Sequence, residues 1–260
     1  EFRFTALDTS GLLFNDVAFA TTGLNQLTLT AGGAMTQMQG AIAAGHTQLS
    51  ATGPITVGNV TITDQVMNQF VASSQDAITT GDVTARSMAI SGGDVTTGNL
   101  TSTGAMRGYW GSYAFSPRYG YSNYWIEDLT VTASGDLSTG NVSSVTSALL
   151  TAGNHITIGG GTGTVTAGQT STGYYIDTAK VWGGADGTVQ MGNISGYNVQ
   201  LKGGDVQVAD VTGTNVDFTG GAFTSGAITA QSGVNLSGTD VSIGTTTAAG
   251  ITLTGDSLTH

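Results

Sequence analysis

The sequence contains no cysteine and only two prolines among 260 residues. Without cysteine there are no disulfides and no thiolate metal sites, and the redox compartment stays open. Charge is scarce as well, at 9% of residues. Disordered chains usually carry many charges and few β-branched residues, so disorder does not fit. Only six residues are Lys or Arg, and the net charge is −11. Phosphate contacts need basic groups, so nucleic acid is excluded as a partner, and anionic membrane is disfavoured with it. No run approaches the roughly 20 apolar residues of a membrane helix. The chain opens at Glu1 with no cationic-then-apolar leader, which reads as a mature product or a fragment.

Present in abundance are Val, Ile, Thr and 41 glycines. Glycine and proline together stay below the roughly 25–30% of aperiodic low-complexity chains. The β-branched excess points to an ordered all-β protein. Its plainest stretch is LTVTASGDLSTGNVSSV at 129–145. Alternating apolar and hydroxyl residues there form three short strands, separated by Gly135-Asp136 and Gly140-Asn141. Gly-Asx is a turn dipeptide, because both residue types tolerate left-handed backbone. The same pattern stands at 88–100, MAISGGDVTTGNL.

The pattern is a repeat. The apolar residues central to successive first strands are Leu29, Leu49, Phe70, Ile90, Val131, Leu150, Trp182, Leu201, Phe218, Leu236 and Leu253. Most steps are 17–21 residues, and two are longer, at 41 and 32. The apolar residues after the two corners keep a spacing of five, as in Ile55/Val60, Val95/Leu100, Leu137/Val142 and Val206/Val211. A unit this small buries its apolar side chains only by stacking on copies of itself. The expected fold is therefore an all-β, right-handed parallel β-helix of about eleven or twelve coils at roughly 4.8 Å per coil. A β-propeller needs repeats about twice as long, and a β-sandwich needs no fixed period. Residues 1–260 read as one domain, with 1–26 an irregular first coil lacking the corner dipeptides. The two long steps become an aromatic-rich insertion at 104–126 and a Gly/Thr-rich one at 159–178, the latter expected as a long hairpin.

The repeats LTVTASGDLSTGNV (129–142), MAISGGDVTTGNL (88–100) and LSATGPITVGNVTI (49–62) resemble those of filamentous-haemagglutinin-like exoproteins, the large bacterial adhesins exported by two-partner secretion. The resemblance covers most of 27–258 outside the insertions. It implies a parallel β-helix, export to the bacterial cell surface, and adhesion or biofilm work without catalysis. The family's N-terminal secretion domain is not recognisable. Neither terminus shows a capping amphipathic helix, so the chain reads as a segment of a longer solenoid or as a subunit whose open ends stack.

The insertion at 107–125 gathers Arg107, Tyr109, Trp110, Tyr113, Phe115, Arg118, Tyr119, Tyr121, Tyr124 and Trp125. It holds five of the eight tyrosines and two of the three tryptophans, with two of the six basic residues. Tyr and Trp offer large contact area with a polar handle, and Arg stacks on them, so the cluster suits a protein or glycan contact. A loop folded onto the flank of the helix explains it equally well.

Carboxylates are candidates for catalysis, because a glycosidase needs a pair across a cleft. Asp94, Asp136 and Asp205 share the first corner column, and Asp82 and Asp210 the second. In that second column Asn59, Asn99, Asn141 and Asn193 take the same place. Asn transfers no proton but does the same work as Asp in a turn, so these residues are assigned to corners. The Gly-rich run at 159–163 has no following Lys and is not a phosphate loop. GGADGTVQM (183–191) resembles a calcium nonapeptide but occurs once. His46, His155 and His260 lack ligand spacing. Sequons at Asn59, Asn99, Asn141, Asn193 and Asn235 fall out of the repeat itself. Thr-x-Thr steps resemble ice-binding faces, but Ser50, Ala72 and Ala89 read as breaks in the column.

These features assign no catalytic residue, cofactor or metal. They point to a non-enzymatic extracellular structural protein, an adhesin stalk or fibre subunit that partners itself, the rest of a longer solenoid, or a matrix glycan. The alternative is a polysaccharide-processing or glycan-binding β-helix of the phage tailspike type.

Overall fold

The computed structural model describes residues 2–6, 11–15, 17–18, 26–62, 69–104, 129–168 and 178–260. Up to Ser195 those residues form short strands, and beyond it Asn198–Val208 and Val211–Ser237 run on through the corners; every inter-strand pairing recorded between them is parallel. Among the described residues the one helical element is a 3₁₀ turn at Gly159–Gly161. Each coil contributes one strand to each of three sheets. One coil is Ser87–Gly92, Val95–Thr96 and Leu100–Ser102; the next is Leu129–Ala133, Leu137–Thr139 and Val142–Ser144.

The stack is a β-solenoid of about ten turns. In the first sheet one register line runs from Phe4 through Leu29, Leu49, Ala72, Ile90, Val131, Leu150, Val181 and Leu201 to Phe218. The pairing of Leu236 with Leu253 continues it. In the second sheet Leu12, Met35, Ile55, Ile78, Val95, Leu137, Ile156, Val189, Val206 and Phe223 follow one another. The third sheet runs from Val17 through Ile42, Val60, Val83, Leu100, Val142, Val165 and Ile194 to Val211. Val95, Leu137 and Val206 are all within 1% of full burial. Burying one such side chain stabilises the fold by about 1.5–3 kcal/mol, so the columns carry the stack. Phe218 and Phe223 bridge the first and second sheets, with ring centroids 4.8 Å apart.

Several expectations are corrected here. Phe70 and Trp182 do not lie on the Leu29 line: Phe70 pairs with Thr47, one inward position earlier, and Trp182 pairs with Thr151. Alternation is strict along a strand, so a one-residue error in register moves a side chain to the other face. The inward residue of that coil is Val181, and Trp182 looks outward. Residues 159–178 are not one hairpin. Val165–Thr166 pairs in parallel with Val142–Ser143 and with Ile194–Ser195, so the third sheet passes through the middle of that segment. What is inserted within 159–168 is a short bulge at the second corner, and 169–177 lie outside the described residues. Residues 1–26 do supply three strands, Phe2–Ala6, Leu12–Phe14 and Val17–Ala18, each paired with the next coil.

Candidate functional site

The corners show why Thr-Gly-Asx recurs. At Thr80-Gly81-Asp82, Thr97-Gly98-Asn99 and Thr139-Gly140-Asn141, the Thr side chain is buried and its hydroxyl donates to the carbonyl of the following Gly at 2.9–3.0 Å. A buried hydroxyl needs such a partner. The Asx side chain then accepts a main-chain N–H from the equivalent residue one coil on. Asp82 N–H donates to Asn59 Oδ1 at 2.9 Å, Asn99 N–H to Asp82 at 2.7 Å, Asn141 N–H to Asn99 at 2.8 Å, and Thr164 N–H to Asn141 at 2.9 Å. Asn193 and Asp210 continue the ladder, accepting from Asp210 and Ala227.

The Gly of the triplet serves a close approach, not a left-handed turn. A Cβ on Gly140 would lie 2.6 Å from Asn99 Oδ1 and 2.9 Å from Asn99 N. Among the described residues the glycines with positive φ are elsewhere, at Gly11, Gly40, Gly104 and Gly159–Gly161. The corner dipeptide therefore works between coils: the Asx oxygen of one coil occupies the space that the Gly of the next leaves open.

The first corner repeats the device. Asp136 N–H donates to Asp94 Oδ1 at 2.9 Å, and His155 N–H to Asp136 Oδ1 at 3.2 Å. His155 substitutes for Asx, its Nδ1 accepting the main-chain N–H of Thr188 at 3.0 Å. That bond leaves the proton of the neutral ring on Nε2. Asp205 departs from the pattern. It lies in the same column, paired with Thr188, but its Oδ2 accepts from Gln207 Nε2 at 2.9 Å. Asp94 and Asp136 thus sit on successive coils, each with an oxygen held by backbone. Among the described residues no group of three or more His, Cys, Asp and Glu is placed to hold a metal ion.

The aromatic contact candidates, Arg107, Tyr109, Trp110, Tyr113, Phe115, Arg118, Tyr119, Tyr121, Tyr124 and Trp125, lie outside the described residues. So do Tyr174 and Tyr175.

Three surface features escape the sequence reading. On the first sheet Lys180 Nζ lies 5.6 Å from the Trp182 ring centroid, and Lys202 is the register partner of Trp182 on the next coil. The outward hydroxyl columns are also more regular than they looked. Ala72 faces the core, and Ser73 takes the outward place, so Thr30, Ser50, Ser73, Ser91, Thr132 and Thr151 follow without a break. A shallow cavity of about 360 Å³ opens on the second sheet, between the Gly159–Gly161 bulge and Gln190, Gln207 and Thr224. Its signal was present in the sequence as Val-Gln at 189–190 and again at 206–207.

No family model, curated protein or solved structure matches the chain.

Proposed function

We propose that this chain is a non-enzymatic structural protein, a rigid rod that serves as a segment of an adhesin stalk or as a subunit of a surface or matrix fibre. The observation that carries the reading is the corner ladder. The carboxylates and amides that a β-helical enzyme would turn to chemistry are here engaged in joining one coil to the next. Placement at the bacterial cell surface rests on the resemblance of the repeats to filamentous-haemagglutinin-like exoproteins.

Association is proposed through the open edge of the stack and through the aromatic loop. In the coil that holds Gly250–Thr254 and Ser257–Thr259, Ile251 and Leu258 are 48% and 50% exposed, whereas their register partners Val234 and Val241 are each 2% exposed. An uncovered strand edge with apolar side chains pairs readily with another chain. Either a further coil of the same protein or a second copy would cover it.

The test is sedimentation and electron microscopy of the 260-residue chain beside a variant carrying Ile251→Lys and Leu258→Lys. Filaments or oligomers dispersed by the two lysines are expected. Single short rods at every concentration would overturn self-association, and release of new reducing ends from a polysaccharide panel would overturn the non-enzymatic reading.

A further inference from the structure

We propose that the second sheet carries a groove for a linear, uncharged polysaccharide lying along the solenoid axis. From Thr56 through Thr157, Gln190, Gln207 and Thr224 to Thr259, the outward position of this sheet holds only hydroxyl or amide side chains. These positions repeat at the coil rise of about 4.8 Å. The first sheet has no such uniformity, since Val71, Ala89, Leu149, Lys180 and Trp182 stand at its outward positions.

The column becomes a groove at one place. Residues 159–161 leave the stack as three consecutive left-handed glycines, with φ of 55°, 63° and 92°. The chain returns through the Gly163 N–H, which donates to the Ile158 carbonyl at 2.9 Å. The resulting ledge overhangs the next coil. A Cβ on Gly161 would lie 3.8 Å from Gln190 Cβ, while one on Gly160 would meet nothing within 4 Å. The shallow space beneath the ledge, about 360 Å³ and open to solvent, is lined by Gly160, Gly161, Thr162, Gln190, Gln207 and Thr224 over the buried Met191 and Val208. It lies within the usual range for small-molecule sites.

The lining selects the ligand class. Gln offers a donor and an acceptor on one amide, and Thr does so on one hydroxyl, which suits the adjacent hydroxyls of a sugar. From Thr157 to Thr224 is three coil steps, about 14 Å, so about three sugar units of an extended chain fit, near one per coil. No Lys or Arg lines the space, Asp205 is hydrogen-bonded to Gln207, and the chain carries a net charge of −11. An anionic polymer is therefore repelled. An extended peptide would need a free strand edge, whereas here Gln190 and Gln207 are paired within the ladder. Strands, not loops, hold the amides, so their spacing is fixed before binding.

The experiment titrates the 260-residue chain with cellotetraose, laminaritetraose, xylotetraose and mannotetraose, following side-chain amide signals by NMR. Glucose and tetragalacturonate serve as comparisons. At least one neutral tetraose is expected to bind, at least tenfold more tightly than glucose or tetragalacturonate. The double variant Gln190→Ala, Gln207→Ala should weaken it at least tenfold with an unchanged melting temperature, and Thr56→Ala, in the same column but away from the ledge, should leave it intact. Failure of all four neutral tetraoses to bind, binding that survives the double variant, or equal binding of tetragalacturonate would overturn the proposal. Filament formation is unaffected by either result, so the structural reading stands or falls separately.

Discussion

If the Gly-Asx corner acts between coils, Gly135 and Asp94 must be energetically coupled although 41 residues separate them. A Cβ built on Gly135 meets Asp94 Oδ1 and then Asp94 Cγ at 3.3 Å; the next atom, Gly93 O, is at an ordinary 3.6 Å. The Asp94 carboxylate is thus the obstacle. It is also the acceptor for the Asp136 N–H at 2.9 Å. Gly135→Ala pushes the carboxylate aside and loses that bond, at a cost of about 1–2 kcal/mol for an exposed hydrogen bond to a charged group. Asp94→Ala loses the same bond at a similar cost. With Asp94 already truncated, Gly135→Ala has nothing left to displace. Gly135 has no positive φ, so the added Cβ only restricts the unfolded chain and stabilises by about 0.4–1 kcal/mol. The double-mutant cycle should therefore show a coupling of about 1.5–3 kcal/mol, read by urea unfolding of the four proteins. Additive costs, or a Gly135→Ala penalty that persists beside Asp94→Ala, would refute the inter-coil account and restore a purely local turn.

Leu137→Ala opens a cavity in a column where the side chain is 1% exposed, and should cost about 2–5 kcal/mol by the same unfolding assay, while Ser138→Ala on the opposite face should cost under about 0.5 kcal/mol. Burial lowers the His46 pKa below 6.5. The unfolded chain then binds the proton first, so stability is full above about pH 6.5 and declines as pH falls through the folded-state value. Melting curves should show that decline, and His46→Gln, matching Gln26 one coil earlier, should remove it. Replacing Trp110 and Tyr113 by Ala should abolish assembly seen by electron microscopy and leave the circular dichroism spectrum unchanged; retained assembly would remove the aromatic loop from the contact.

The repeat was legible because burial imposes it. A residue such as Val95 or Leu137 must face a dry interior, so its apolar character recurs wherever a coil returns to the same point. The five-residue spacing across the second corner was visible because an Asx side chain bonded to the next coil leaves little room for change there. It vanished from view where extra residues lengthen the corner. Ile156 and Val165 occupy the same two columns but stand nine residues apart, because the 159–161 glycines lengthen the corner. Met35 and Ile42 are seven apart for the same kind of reason, with left-handed Gly40 between them. Trp182 was misplaced by a single residue: near a strand end, the largest apolar side chain is a weaker guide to register than the alternation on either side of it.

Outward residues are subject to no such rule, and this limits what a sequence says about the surface. Thr suits any half-buried pleated position, so one Thr-rich strand carries no information about a binding face. Information appears only when coils are aligned and the same outward position is followed from rung to rung. Gln190 and Gln207 illustrate the difference. Alone, each is a polar residue between two valine-like neighbours; in register, beneath a glycine ledge, they form two sides of one cavity. The departures from the repeat therefore deserve the closest reading. A stack that only needed to be stiff would gain nothing from Gly159–Gly161, since three left-handed glycines bury no apolar side chain and add no coil-to-coil rung. Deleting residues 160–163 shortens the corner to Ile158-Gly159-Thr164 and restores the five-residue spacing, so it should leave the Ile156 and Val165 columns intact and remove the cavity. A loss of folding on that deletion would instead give the ledge a structural task of its own.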